Sequence, residues 1–227
     1  VNDAPELSDI GAQSMDEDGI LSFALSSSDI DGGDPSYSAS SDEPNVSAVV
    51  DGNELTLTPV PDWNGTANIT VTVDDGSGGT DDETFELTVN PVNDAPILTA
   101  IGAQSTNEDT PLELTLIATD VDEDELSFTA SSDEGNVSAE VDGTVLTLTP
   151  ADNWYGTANI TVGVDDGSGG SDSGSFELTV NPVNDAPILT EIGNRITDED
   201  TPLVLTLDAT DVDENELTFS AVSQYPD

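Results

Sequence analysis

Apolar and polar residues alternate in short runs along this chain. In Ala67–Val73, Ile69, Val71 and Val73 fall on one side while Thr70 and Thr72 fall on the other, the period of two expected of a strand with one buried face. Similar runs predict strands over Glu6–Ile10, Ile20–Leu25, Pro35–Ser40, Val46–Val50, Glu54–Val60 and Thr84–Asn90. Asp51-Gly52 is a turn dipeptide between the fourth and fifth of these, and Gly76-Ser77-Gly78-Gly79 reads as a flexible loop between the sixth and seventh. Thr, Val, Ser, Gly, Asn and Asp dominate throughout, which disfavours helices.

The pattern recurs. Val1-Asn2-Asp3-Ala4-Pro5 returns at Val92–Pro96 and again at Val183–Pro187, an offset of 91 residues each time. The same offset carries Leu55–Pro59 onto Leu146–Pro150, Gly65–Val71 onto Gly156–Val162, and Phe85–Asn90 onto Phe176–Asn181. The chain thus divides into repeat 1 (1–91), repeat 2 (92–182) and the first half of a third (183–227). A period of this length exceeds that of solenoid repeats and matches one small β-domain. Seven short strands per repeat, with a turn roughly every 8–12 residues, predict an all-β chain of tandem seven-stranded Greek-key sandwiches of immunoglobulin-like type. The half repeat holds too few strands to close such a sandwich alone. Trp63 and Trp154, at matching positions, are expected to pack over one end of their cores, as are Tyr37, Phe128 and Phe219 at another shared position.

Composition narrows the chemistry. The chain has 49 Asp or Glu, one cation (Arg195), no Lys, His or Cys, and a net charge of −48. Disulfides, thiolate chemistry and thiolate zinc sites are excluded, and so are imidazole bases and ligands. A single Arg cannot neutralise phosphates, so nucleic acid and anionic lipid surfaces are poor partners. No run approaches the ~20 apolar residues of a membrane span, so no direct membrane insertion is expected of this segment. Such charge alone would predict disorder, but the concentrated apolar alternation argues for folded β-structure. An enzyme is not expected.

The acids gather at fixed places in each repeat. One group follows the linker (Asp16–Asp18, Asn107–Asp109, Asp198–Asp200). A second is Asp29 and Asp31, then Asp120, Asp122 and Asp124, then Asp211, Asp213 and Asn215. A third is Asp74-Asp75 and Asp165-Asp166, and a fourth is the linker itself, Asn93-Asp94 and Asn184-Asp185. In a sandwich all four lie at strand ends, hence at the poles. Oxygen ligands converging without nitrogen or sulfur suit a hard cation that takes 6–8 oxygens, Ca²⁺ ahead of Mg²⁺. The competing reading is a merely solvated acidic surface, and each calcium offsets only two charges, so much of the acidity stays solvated on either reading.

The run Ile69–Thr80, followed by Phe85–Pro96 with its Val-Asn-Asp-Ala-Pro linker, resembles the last strands and linker of cadherin repeats. It looks closest to the bacterial cadherin-like tandem repeats of giant, RTX-type surface adhesins. That resemblance implies Ca²⁺ at each linker, an extracellular location on a bacterial surface, and a stalk projecting a binding tip. Carried onto this sequence, the ligand set at the first linker would be Glu17, Asp62, Asn93, Asp94, Asp120, Asp122 and Asp166; at the second, Glu108, Asn184, Asp185, Asp211 and Asp213. Asn153 stands where repeat 1 has Asp62, and Pro91 stands where cadherins carry an acid. At least one ion per linker is implied. The expected partners are calcium and neighbouring repeats of the same chain, with self-association possible through the incomplete third repeat. Alternative roles are a segment of a self-assembling extracellular filament and a calcium-dependent glycan-binding module using Trp63 or Trp154.

Overall fold

Residues 1–224 are described by the computed structural model; Tyr225, Pro226 and Asp227, the last residues assigned to the third repeat, lie outside them. Among the described residues there is no helix. The alternation of repeat 1 becomes nine strands: β1 (Glu6–Leu7), β2 (Gln13–Asp16), β3 (Leu21–Ala24), β4 (Ser27–Ser28), β5 (Ser36–Ser41), β6 (Val46–Asp51), β7 (Glu54–Pro59), β8 (Gly65–Asp74) and β9 (Thr80–Asn90). A four-stranded sheet, β2-β9-β8-β5, packs over a three-stranded one, β3-β7-β6, with β1 and β4 as a short ribbon at the side. Leu55 and Leu57 of β7 meet Ile69, Val71 and Val73 of β8 and Leu87 of β9 in a core where all six are fully excluded from solvent. Each such side chain contributes roughly 1.5–3 kcal/mol relative to exposure, while the intervening Thr and Glu face outward.

Two short strands lie outside the expected set. Gln13–Asp16 forms an edge strand parallel to β9, in register Gln13↔Leu87 through Asp16↔Asn90. Its side chains are polar apart from Met15, because an edge strand gains its place from backbone pairing with β9 rather than from a buried face. Ser27–Ser28 pairs antiparallel with β1. The Gly-rich loop after β8 is wrapped around a carboxylate: Asp75 Oδ1 accepts the N–H groups of Ser77 (2.7 Å) and Gly79 (3.0 Å).

Repeat 2 has the same architecture in β10 (Ile97–Leu98), β11 (Gln104–Asn107), β12 (Leu112–Thr115), β13 (Ala118–Thr119), β14 (Ser127–Ser132), β15 (Val137–Asp142), β16 (Val145–Pro150), β17 (Gly156–Asp165) and β18 (Ser171–Asn181). Its sheets run β11-β18-β17-β14 and β12-β16-β15 around Leu146, Leu148, Ile160, Val162 and Leu178. Trp63 and Trp154 pack against the two cores. Each lies over the glycine two residues on, where a Cβ on Gly65 would come within 2.9 Å of the Trp63 ring and one on Gly156 within 3.0 Å of Trp154.

The chain after repeat 2 forms only β19 (Ile188–Leu189) and β20 (Ala209–Thr210), paired as β10 pairs with β13. In repeat 2, β11 rests on β18, β12 on β16 and β14 on β17. Residues 183–224 contain no counterpart of those three supporting strands, so their apolar positions face water: Phe219 is 48% exposed, Val204 88% and Ile196 93%. Phe219 is therefore not a core residue here, unlike Tyr37 and Phe128, which pack against their cores.

Candidate metal centre

By residue contacts the chain separates into two units, Val1–Asp94 and Ala95–Asp227. In the second, the acids of the post-β11 turn, the linker after β18 and the loop after β20 come together. Carboxylate oxygens of Glu108, Asp185 and Asp213 lie within 4.8 Å of one another. Glu108 is buried, at 3% exposure, because its backbone N–H continues the pairing of β11 to the Asn181 carbonyl. Its Oε1 accepts the Val183 N–H at 2.5 Å and so fixes the start of the linker. Asp213 Oδ2 accepts the Asp185 N–H at 2.6 Å. Asp211 organises the loop: its Oδ1 accepts the N–H groups of Asp213 (3.0 Å) and Asn215 (3.3 Å), the local closure that Asp favours in turns. Asn215 in turn donates to Asn184 Oδ1 at 2.9 Å. Asp185, Asp211 and Asn153 line one cleft of about 310 Å³.

Electrostatics sets this cluster apart from ordinary turn chemistry. Burial, then the neighbouring carboxylates of Asp109, Asp213, Glu108 and Asp211, push the Asp185 carboxyl above its usual range. Asp185 Oδ2 is buried without a hydrogen bond, a costly state for a carboxylate oxygen unless a cation meets it. The donor set is all oxygen, which fits Ca²⁺.

In the first unit, carboxylate oxygens of Asp18, Asp62 and Asp94 also lie within 4.8 Å of one another. Asp18 and Asp62 hold left-handed turns (φ 60° and 59°), and the Asp62 N–H donates to Asp18 Oδ1 at 3.1 Å. Asp and Asn tolerate that backbone region better than other non-glycine residues. Glu17, 4% exposed, accepts the Val92 N–H through Oε1 at 2.7 Å, and its Oε2 is buried without a hydrogen bond.

Residues 92–181 match the family described as Cadherin-like domain, and residues 2–88 match the family described as Bacterial Ig domain. The chain carries a bacterial Ig domain and a cadherin-like domain in tandem. Among solved structures it is similar to human CDH23 EC21-23, with 19% identity, 92% of this chain and 80% of that chain covered, and a TM-score of 0.54. It is also similar to human Protocadherin-24 EC1-2, with 15% identity, 80% of this chain and 100% of that chain covered, and a TM-score of 0.53. At such identities the likeness shows the fold. An endo-fucoidan hydrolase from glycoside hydrolase family 107 aligns more loosely, at 17% identity and a TM-score of 0.34 over 79% of this chain, which spans only 29% of that chain's length. No curated protein matches the sequence.

Of the residues singled out from the sequence, the cadherin-like domain and its following linker bring together Glu108, Asp185 and Asp213. Asp211 stands one hydrogen bond away, on Asp213, and Asn184 is linked to Asp211 through Asn215. In the first unit Asp62 meets Asp94, while Glu17 holds Val92, next to Asn93. Asp120 and Asp122 share a loop, with the Asp122 N–H donating to Asp120 Oδ1 at 3.0 Å and Asp120 Oδ2 buried without a hydrogen bond. Asp166 is 4% exposed, and its Oδ1 accepts the N–H groups of Ser168, Gly169 and Gly170 at 2.7–3.0 Å. Asp18 belongs with Asp62 and was not in the ligand set carried over from the resemblance. Its signal was its fixed place in the acidic triplet after the linker, repeated at Asp109 and Asp200.

Proposed function

We propose that this chain is part of the calcium-stiffened extender of a large extracellular bacterial adhesin, projecting a binding tip from the cell surface. The carrying observation is the carboxylate cluster at the 183–187 linker, with the buried oxygen of Asp185 left without a hydrogen bond. In this reading Glu108, Asp185 and Asp213 hold Ca²⁺, which supplies the positive charge that a −48 chain cannot draw from its own side chains. Because the three ligands come from the cadherin-like domain, the linker and the loop beyond it, one ion ties a hinge at both ends. Its binding free energy offsets the entropy of ordering that hinge, and stability becomes calcium-dependent by mass action. Pro187 stiffens the same stretch by fixing φ. The role is mechanical rather than catalytic, and tandem bacterial Ig and cadherin-like domains are typical of extracellular surface proteins.

Calorimetric titration of the chelator-treated chain with CaCl₂ tests this reading. Saturable binding of at least one equivalent is expected, and its absence at physiological salt would overturn the proposal. Glycan capture by Trp63 or Trp154 is disfavoured, since both rings pack against their cores.

A further inference from the structure

The two complete repeats differ at one place along the flank where the first strand meets the last. In repeat 1, Leu7 N–H donates to Asp81 Oδ2 at 2.8 Å, and in repeat 2 the matching Leu98 N–H donates to Asp172 Oδ2 at 2.8 Å. The frame is the same. Three residues on, the Ile10 N–H of repeat 1 is met by both carboxylate oxygens of Glu83, each at 3.1 Å. The matching residue of repeat 2 is Gly174, which has no side-chain acceptor to offer the Ile101 N–H. Loss of that side chain also uncovers apolar surface: Leu7 is buried, at 8% exposure, whereas Leu98 is only half-buried. A cavity of about 180 Å³ results, lined by Leu98, Ala100, Ile101, Gly174 and Phe176 and flanked by two serines.

The lining has lost its acids as well. Ala100, Ser173 and Gly174 stand where repeat 1 has Asp9, Asp82 and Glu83, so this is an uncharged hollow on a strongly acidic chain. Asp172, next to Ser173 in the chain, already accepts the N–H groups of Leu98 and Ser173. Repeat 1 therefore displays what this frame accepts: a carboxylate, carried on two methylenes, on the isoleucine amide.

We propose that the hollow of repeat 2 is a binding site for a free short aliphatic carboxylate of propionate size, whose alkyl chain covers Leu98 and Phe176 and whose carboxylate accepts the Ile101 N–H. The apolar part supplies affinity and the amide supplies orientation, as in small-molecule sites generally. The net charge of the chain opposes the anion, so binding is millimolar rather than tight. The proposal is independent of the metal reading.

The test is a titration of the ¹⁵N-labelled chain with sodium propionate, at ionic strength held constant with sodium chloride, following backbone amide resonances. The Ile101 and Gly174 amides shift saturably while Ile10, already served by Glu83, stays put. Gly174→Glu fills the hollow and abolishes the response. This substitution is sterically open, since a Cβ there meets only Leu98 Cδ2, at 3.6 Å. Glu83→Gly opens the corresponding hollow in repeat 1 and gives Ile10 a new saturable response. No saturable shift at Ile101, equal shifts at Ile101 and Ile10 in the unaltered chain, an undiminished response in Gly174→Glu, or an equal response to 1-propanol would each overturn the proposal.

Discussion

Asp62 and Asn153 occupy the same turn in the two repeats, and the turn does not distinguish them. Both are left-handed, with φ of 59° and 56°, and each donates its N–H to the aspartate that opens the neighbouring turn: Asp62 to Asp18 at 3.1 Å, Asn153 to Asp109 at 2.8 Å. The backbone requirement is met by either side chain, because Asp and Asn share the short polar geometry that tolerates this region. What changes is the charge, together with one acceptor oxygen that becomes an amide donor. An acid in such a turn is therefore explained by the turn alone. What calls for a cation is an oxygen that the turn leaves over, and Asp185 Oδ2 is such an atom.

The largest effect expected from that distinction is at Asp185 itself. Asp185→Asn removes the orphaned charge and should lower calcium affinity at this linker by more than tenfold in calorimetry. In chelator the same variant should melt slightly higher than the unaltered chain, because repulsion with Glu108, Asp211 and Asp213 is relieved. A side chain that mattered only to the turn would show neither change.

A smaller and opposite pair of effects is expected at the compared position. Asp62→Asn should weaken calcium binding by the bacterial Ig domain, and Asn153→Asp should strengthen it at the linker after the cadherin-like domain, each by about tenfold (~1.4 kcal/mol). Neither should disturb its turn, so melting temperatures in chelator should stay close to that of the unaltered chain. If both substitutions instead unfold their repeats and leave calcium affinity alone, the division between turn and charge fails.

The pH dependence is gentler. The Asp185 carboxyl has a folded-state pKa above its ordinary value. Its contribution therefore favours the calcium-free fold while it is protonated, and is lost as pH rises through the raised value. In the proposed role calcium and the proton would compete for this one carboxylate. Affinity should fall as the solution is acidified into that range, and calcium binding there should release protons, measurable by calorimetry in buffers of different ionisation enthalpy. Asp185→Asn should remove the proton release.

The sandwich was legible because its central strands carry their own burial code: Ile69, Val71 and Val73 alternate with threonines and are fully buried. The edge strand Gln13–Asp16 was not, since its pairing with β9 leaves little apolar signature. Phe219 shows a different limit. Its register matched two core aromatics, yet burial depends on strands that residues 183–224 do not contain. At the site, the Asp-x-Asp spacing pointed to Asp211 and Asp213, and the structure places Asp213 in the cluster while Asp211 shapes its loop. Which oxygens the backbone consumes and which it leaves could not be read from spacing, because that depends on chain segments about 75 residues apart, as with Glu108 and Val183.

Small-angle X-ray scattering of the chain at physiological ionic strength, with calcium and then with excess chelator, tests the proposed stiffening most directly. A broader distribution of radius of gyration is expected in chelator, narrowing again when calcium is restored. Superimposable curves in the two conditions would contradict it.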